Sequence, residues 1–170
     1  MSNPTHPSAR VIETSIHISA PLSTVRSVLL DFASYPSWSS FITSIAPVAS
    51  KDNVSIDDSL RVTLNPPGGS PMNMTPKVVH LDDTGLGWQG HLANISGLFD
   101  GKHLFLLSEE DVDGKKGTKL VQREEFGGVL YTPLMSWLGF GDKTKKGFEA
   151  FDASVKKRAE QVAMEGGNTQ

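Results

Sequence analysis

At 170 residues with 38% hydrophobic and 21% charged side chains, the chain is sized for one globular domain with a core of its own, not for a disordered or fibrous protein. A formal net charge of -3 gives no reason to expect nucleic acid, whose phosphates need clustered Lys and Arg, and no apolar run approaches the roughly 20 residues of a membrane helix. Cysteine is absent, which excludes a disulfide framework, a thiolate nucleophile and Cys-ligated zinc. Residues 1–9 are polar and proline-bearing with no apolar signal core, so they are expected to be a flexible N-terminus of a cytoplasmic protein.

From Val11 to Ile18 apolar residues alternate, with Ile12, Thr14, Ile16 and Ile18 on one face and Glu13, Ser15 and His17 on the other, which predicts a half-buried strand. Leu22, Val25, Val28 and Leu29 follow at helical spacing, with Ser19 as candidate N-cap and Pro21 in the first turn. Asp31 to Ile42 carries Phe32, Tyr35, Trp38, Phe41 and Ile42 around Pro36, the pattern of a helical hairpin broken at the proline, not of one straight helix. The centre of the chain reads as a meander, with strands at 44–49, 59–65, 72–81, 85–93, 101–108 and 118–126. Turn clusters such as Asn65-Pro66-Pro67-Gly68-Gly69 and the five residues 113–117 separate them. The stretch 127–141, with Leu130, Tyr131, Leu134, Met135, Trp137 and Phe140, is a candidate lid. From Asp142, read as an N-cap, to Met164 a long amphipathic helix puts Phe148, Phe151, Val155, Ala159 and Val162 opposite Lys145, Glu149, Asp152, Lys156 and Glu160. Residues 165–170 are expected to fray as a flexible tail, leaving 10–164 as the domain.

This order predicts an α+β fold: about seven antiparallel strands in a curved sheet, two short helices after the first strand, and a long C-terminal helix on the concave face. Strand alternation sends Trp88, Gly90 and Leu92, then His103, Phe105 and Leu107, then Leu120, Gln122, Glu124 and Phe126 toward the interior. His103, Gln122 and Glu124 thus form a polar end in an apolar cavity. Glu124 with His103 is the candidate acid/base pair, able to move a proton beside a carbonyl during aldol-type cyclisation or dehydration. The same two residues on adjacent strands can instead satisfy one another and pin the register, a structural role that weighs at least as heavily. Trp38, Met74, Trp88, Leu92, Phe105, Gln122, Phe126, Tyr131, Trp137, Phe148 and Phe151 are the candidate ligand contacts, although aromatics at inward spacing serve equally as core. The five histidines show no metal-binding spacing, no glycine pair opens a helix in the phosphate-binding pattern, and Ser136 lies in no nucleophile elbow; no metal or cofactor is expected. The lysines 143, 145 and 146 read as a solvated face with at most a weak attraction for acidic lipid headgroups.

The chain resembles the START-like (SRPBCC) superfamily of helix-grip proteins, in particular its polyketide cyclase/dehydrase-like branch. The matching residues begin with Ile18-Ser19-Ala20-Pro21, Val25, Leu30-Asp31-Phe32, Tyr35-Pro36, Trp38 and Phe41-Ile42. They continue through Trp88, Gly90, Gly101, His103, Phe105, Gly117-Thr118, Gln122, Glu124, Phe126 and Gly128, so the likeness spans nearly the whole chain. It implies binding of a hydrophobic small molecule, an aromatic polyketide or a lipid, with a cofactor-free cyclase or dehydratase and a non-catalytic assembly module as alternatives on one scaffold. Monomer and homodimer are both compatible with the sequence.

Overall fold

The computed structural model describes residues 10–50, 53–91, 93, 95–132 and 140–167. In chain order these form β1 (Val11–Ile18), α1 (Leu22–Leu30), a 3-10 turn (Phe32–Ser34), α2 (Tyr35–Trp38), β2 (Ile42–Pro47), β3 (Leu60–Leu64), β4 (Met72–Met74), β5 (Lys77–Asp82), β6 (Gly85–His91), β7 (Asp100–Val112), β8 (Lys115–Gly127) and α3 (Phe140–Gly167). Among the described residues no helix is long and apolar enough to cross a membrane.

The strands lie antiparallel in the order β1-β8-β7-β6-β5, with β2-β3-β4 as a second group. The two groups are joined, because Ser59 bridges Lys77 and Leu60 donates its N–H to the Pro76 carbonyl. β4 and β5 therefore follow one another along β3, and the described residues hold eight strands where about seven were expected. The expected continuous strand 72–81 is split at Thr75-Pro76, since proline has no N–H to give the ladder.

The hairpin of β7 and β8 is longer than its sequence suggested. Asp113 and Gly114 both take positive φ, 54° and 75°, which makes a two-residue turn matched to strand twist. Lys115 and Lys116 consequently pair with Val112 and Asp111 as strand residues, where a five-residue break was expected. Nearer the start, Ser19 does not cap α1: Pro21 occupies the cap position without a side-chain bond, while the Ser19 N–H is taken by Glu160. Pro36 lies in the first turn of α2 and so begins that turn where a break was expected. α3 starts before Asp142, which sits in its first turn, and continues through Gly167 into the expected tail.

α3 lies on the concave face, burying Phe148, Phe151, Val155 and Ala159 against the sheet and α1. Asp152 corrects the helix-face reading: it is buried, with its carboxylate accepting a 2.6 Å bond from the Thr14 hydroxyl of β1. Its position four residues after Phe148 and three before Val155 places it on the packed stripe, where a carboxylate is tolerated because β1 supplies a donor. Gly147 has an equally specific reason, since a Cβ there would run into the Phe41 ring.

Candidate functional site

Between α3 and the concave sheet, toward the β4 end, lies a cavity of about 230 Å³. Its sides are Phe41, Leu64, Met72 and Met74 on one flank, Trp88, Phe99 and Phe126 on the other, and Phe148 and Thr144 of α3 above. The floor is made by glycine. Gly90 of β6 and Gly101 of β7 are direct cross-strand partners, and an added Cβ would come within 2.7 Å of the Met74 methyl at the first and 2.5 Å of a Glu124 carboxyl oxygen at the second. Side chains at these two positions would occupy the volume.

The polar end is built by register. His103 of β7 pairs directly with Trp88 of β6 and with Glu124 of β8, so the three side chains stand side by side on one face. The imidazole is stacked on Phe105 at 4.5 Å and lies under Phe148 at 4.7 Å. Enclosure by these rings disfavours the imidazolium and pulls the His103 pKa down to about 3. Its Nε2 lies 2.9 Å from Gln122 Nε2, and its Nδ1 faces Glu124 Oε2 at 3.8 Å, too long for a formed hydrogen bond. Burial without a cation nearby pushes the Glu124 carboxyl up to about 8, although its side chain keeps 15% exposure through the cavity. At neutral pH the site therefore holds a neutral imidazole beside a protonated carboxyl group.

Of the sequence-derived candidates, Met74, Trp88, Phe126, Phe148, His103 and Glu124 line this cavity. Gln122, Phe105, Phe151 and Trp38 sit behind its wall: Gln122 holds His103, and Trp38 packs on Tyr35 and Phe151 with its indole N–H on the Ser34 hydroxyl. Tyr131 lies beside Phe126 with the Arg10 guanidinium over its ring. Leu92, Trp137 and the rest of 133–139 in the candidate lid fall outside the described residues. Sequence reasoning missed a second polar pair at the cavity wall, His91 with Asp100, whose Nδ1 and Oδ1 are 2.7 Å apart across β6 and β7. The bond from His91 holds the Asp100 carboxyl below the usual carboxylate range. Its signal was weak, because the chain between the two residues gives no hint that they are opposed. Among the described residues no three His, Asp or Glu side chains converge as metal ligands.

A curved antiparallel sheet gripping one long helix over a cavity defines the helix-grip fold. The chain belongs to the family described as polyketide cyclase/dehydrase and lipid transport, which matches residues 9–162. Among solved structures it is similar to the ZhuI aromatase/cyclase from Streptomyces sp. R1128, at 13% identity and TM-score 0.64 over 89% of this chain and 94% of that one. A START superfamily protein from Mycobacterium smegmatis matches at 16% identity and TM-score 0.64, over 89% and 98% of the two chains. A protein from Thermus thermophilus matches at 12% identity and TM-score 0.68, over 90% and 99%. At these identities the likeness is one of fold. No curated protein matches the sequence.

Proposed function

We propose that the chain binds a small, ring-bearing apolar molecule in this cavity, with one oxygen of the ligand hydrogen-bonded at the Glu124 end. The carrying observation is the floor of paired glycines beneath aromatic walls, with a single protonated carboxyl at its polar edge. A volume of about 230 Å³ is below the ~300–1,000 Å³ usual for drug-sized ligands, so one or two fused rings is the fitting size. Glu124 Oε1 stands over Gly101, where an O–H can be offered to a ligand carbonyl. The family description, which joins cyclases with lipid transport, supports the substrate class.

A second reading, proton transfer during cyclisation or dehydration, is favoured by the raised pKa of Glu124, which suits a general acid near neutral pH. In the amide orientation of the structure Gln122 donates to His103 Nε2, and in that tautomer the imidazole has no lone pair free for a ligand. Turnover of a candidate substrate that persists in both His103→Ala and Glu124→Gln would eliminate this second reading.

Binding is tested with 1-tetralone, a bicyclic aromatic ketone, followed by tryptophan fluorescence, since Trp88 is in the wall. Saturable quenching is expected, and Gly90→Val, which fills the floor, should weaken it at least about tenfold, a loss of ~1.4 kcal/mol or more. Equal quenching in a folded Gly90→Val protein would contradict the proposal.

A further inference from the structure

Behind the cavity wall, two buried oxygens have no hydrogen-bond donor: Gln122 Oε1 and Asp152 Oδ1. They belong to one cluster. Thr14 and Gln122 are opposed in register across β1 and β8, and the Thr14 hydroxyl donates to the other oxygen of Asp152 at 2.6 Å. Opposed residues on a sheet face have Cβ atoms roughly 5 Å apart, so the bond from Thr14 brings the Asp152 carboxyl to the strand pair that carries Gln122. Two buried acceptors without donors are costly unless a hydrogen is supplied to them.

We propose that Asp152 is a positioning residue for the cavity's polar end: its protonation state sets the orientation of the Gln122 amide, and through it the tautomer of His103. In the neutral form, Asp152 Oδ1–H donates to Gln122 Oε1, the amide N–H donates to His103 Nε2, and the imidazole carries its hydrogen on Nδ1, toward Glu124. The structure shows the second of these contacts, with Gln122 Nε2 facing His103 Nε2 at 2.9 Å. When Asp152 loses its proton to solvent, the carboxylate attracts the amide N–H and the amide turns over. Gln122 Oε1 then accepts from His103 Nε2–H. The imidazole moves its hydrogen between its own nitrogens without gaining or losing one, and the Nδ1 lone pair is left facing the protonated Glu124.

The groups acting on Asp152 are Thr14 on β1, whose register partner is Gln122 of β8, and Glu149 one turn earlier on α3. His103 and Glu124 lie beyond Gln122, and α1, packed on the same helix, buries only Val25, Val28 and Leu29. Burial, reinforced by Glu149 and opposed by the Thr14 bond, moves the Asp152 carboxyl up to about 6, so the exchange falls in the range where His103 itself stays uncharged. The inference deepens the reading of the polar end proposed above, but its test needs no ligand, so the two can fail separately.

The test is long-range 1H–15N correlation NMR of the His103 imidazole across pH, which distinguishes the two neutral tautomers. The wild-type protein is expected to pass from mainly Nδ1–H near about pH 5 to mainly Nε2–H near about pH 8, with a midpoint close to the Asp152 carboxyl titration read from 13C shifts. In Asp152→Asn, whose side chain does not titrate, a single His103 tautomer is expected at every pH. A wild-type His103 in a single tautomer across the range would overturn the proposal even if the variant does not fold, as would an unchanged transition in folded Asp152→Asn.

Discussion

Phe151→Ala is expected to destabilise the protein by about 3–5 kcal/mol, the cost of removing a fully buried aromatic ring whose site cannot collapse. The ring is held from three directions: Phe105 of β7 at 5.4 Å, Tyr35 at 6.0 Å and Trp38 at 5.8 Å, so it joins sheet, α2 and α3 in one contact. A cavity opened there would be bounded by rigid rings already engaged with one another. Urea unfolding followed by far-UV circular dichroism measures the loss. A change below about 1 kcal/mol would mean that α3 is not anchored through this residue.

Glu124→Gln should alter how stability depends on pH. The folded pKa of Glu124, about 8, lies above its unfolded value of ~4.3, so between these limits the folded state holds more protons than the unfolded one. Its contribution is fully present below the unfolded pKa and is lost as pH rises through about 8. His103 acts in the opposite direction. Its folded pKa, about 3, lies below the unfolded ~6.5, so its contribution is present above the unfolded value and is lost as pH falls through about 3. Comparing Glu124→Gln with wild type cancels the histidine contribution. The variant is expected to gain on wild type by on the order of a few kcal/mol between about pH 4 and pH 9, with partial exposure of the carboxyl trimming the full linkage value. A difference constant across that range would show that Glu124 is ionised in the folded protein at neutral pH.

The fold was largely legible because its signals are local. Alternation from Val11 to Ile18 and the three-and-four spacing of Phe148, Phe151, Val155 and Ala159 report burial on a regular element, and each element had one partner surface available. The misreadings were of two kinds. Asp113-Gly114 was recognisable as a turn, but whether the flanking lysines pair or loop depends on both residues reaching positive φ, a property of the closed hairpin. Asp152 looked like solvent-facing charge on the helix, because the hydroxyl that makes its burial tolerable is 138 positions away on β1.

The site divides in the same way. His103, Gln122 and Glu124 were readable as an inward polar group, since register follows from a hairpin with a clear turn. The shape of the cavity was not, because it is set by what is missing. Gly90 was read as facing inward and both glycines as matching the family, but only their opposition across β6 and β7 makes a floor. Trp38, Phe105 and Phe151 have the same composition signal as Trp88 and Phe148, yet they lie one layer deeper. Periodicity tells inward from outward, but it does not tell a cavity wall from the packing behind it.

The most direct measurement of the central claim is a crystal structure of the protein grown with 1-tetralone. The expected result places the fused rings over Gly90 and Gly101 between Trp88 and Phe148, with the ketone oxygen within hydrogen-bond distance of the Glu124 carboxyl. A cavity closed by its own side chains, or a ketone bound outside it with Glu124 untouched, would contradict the account.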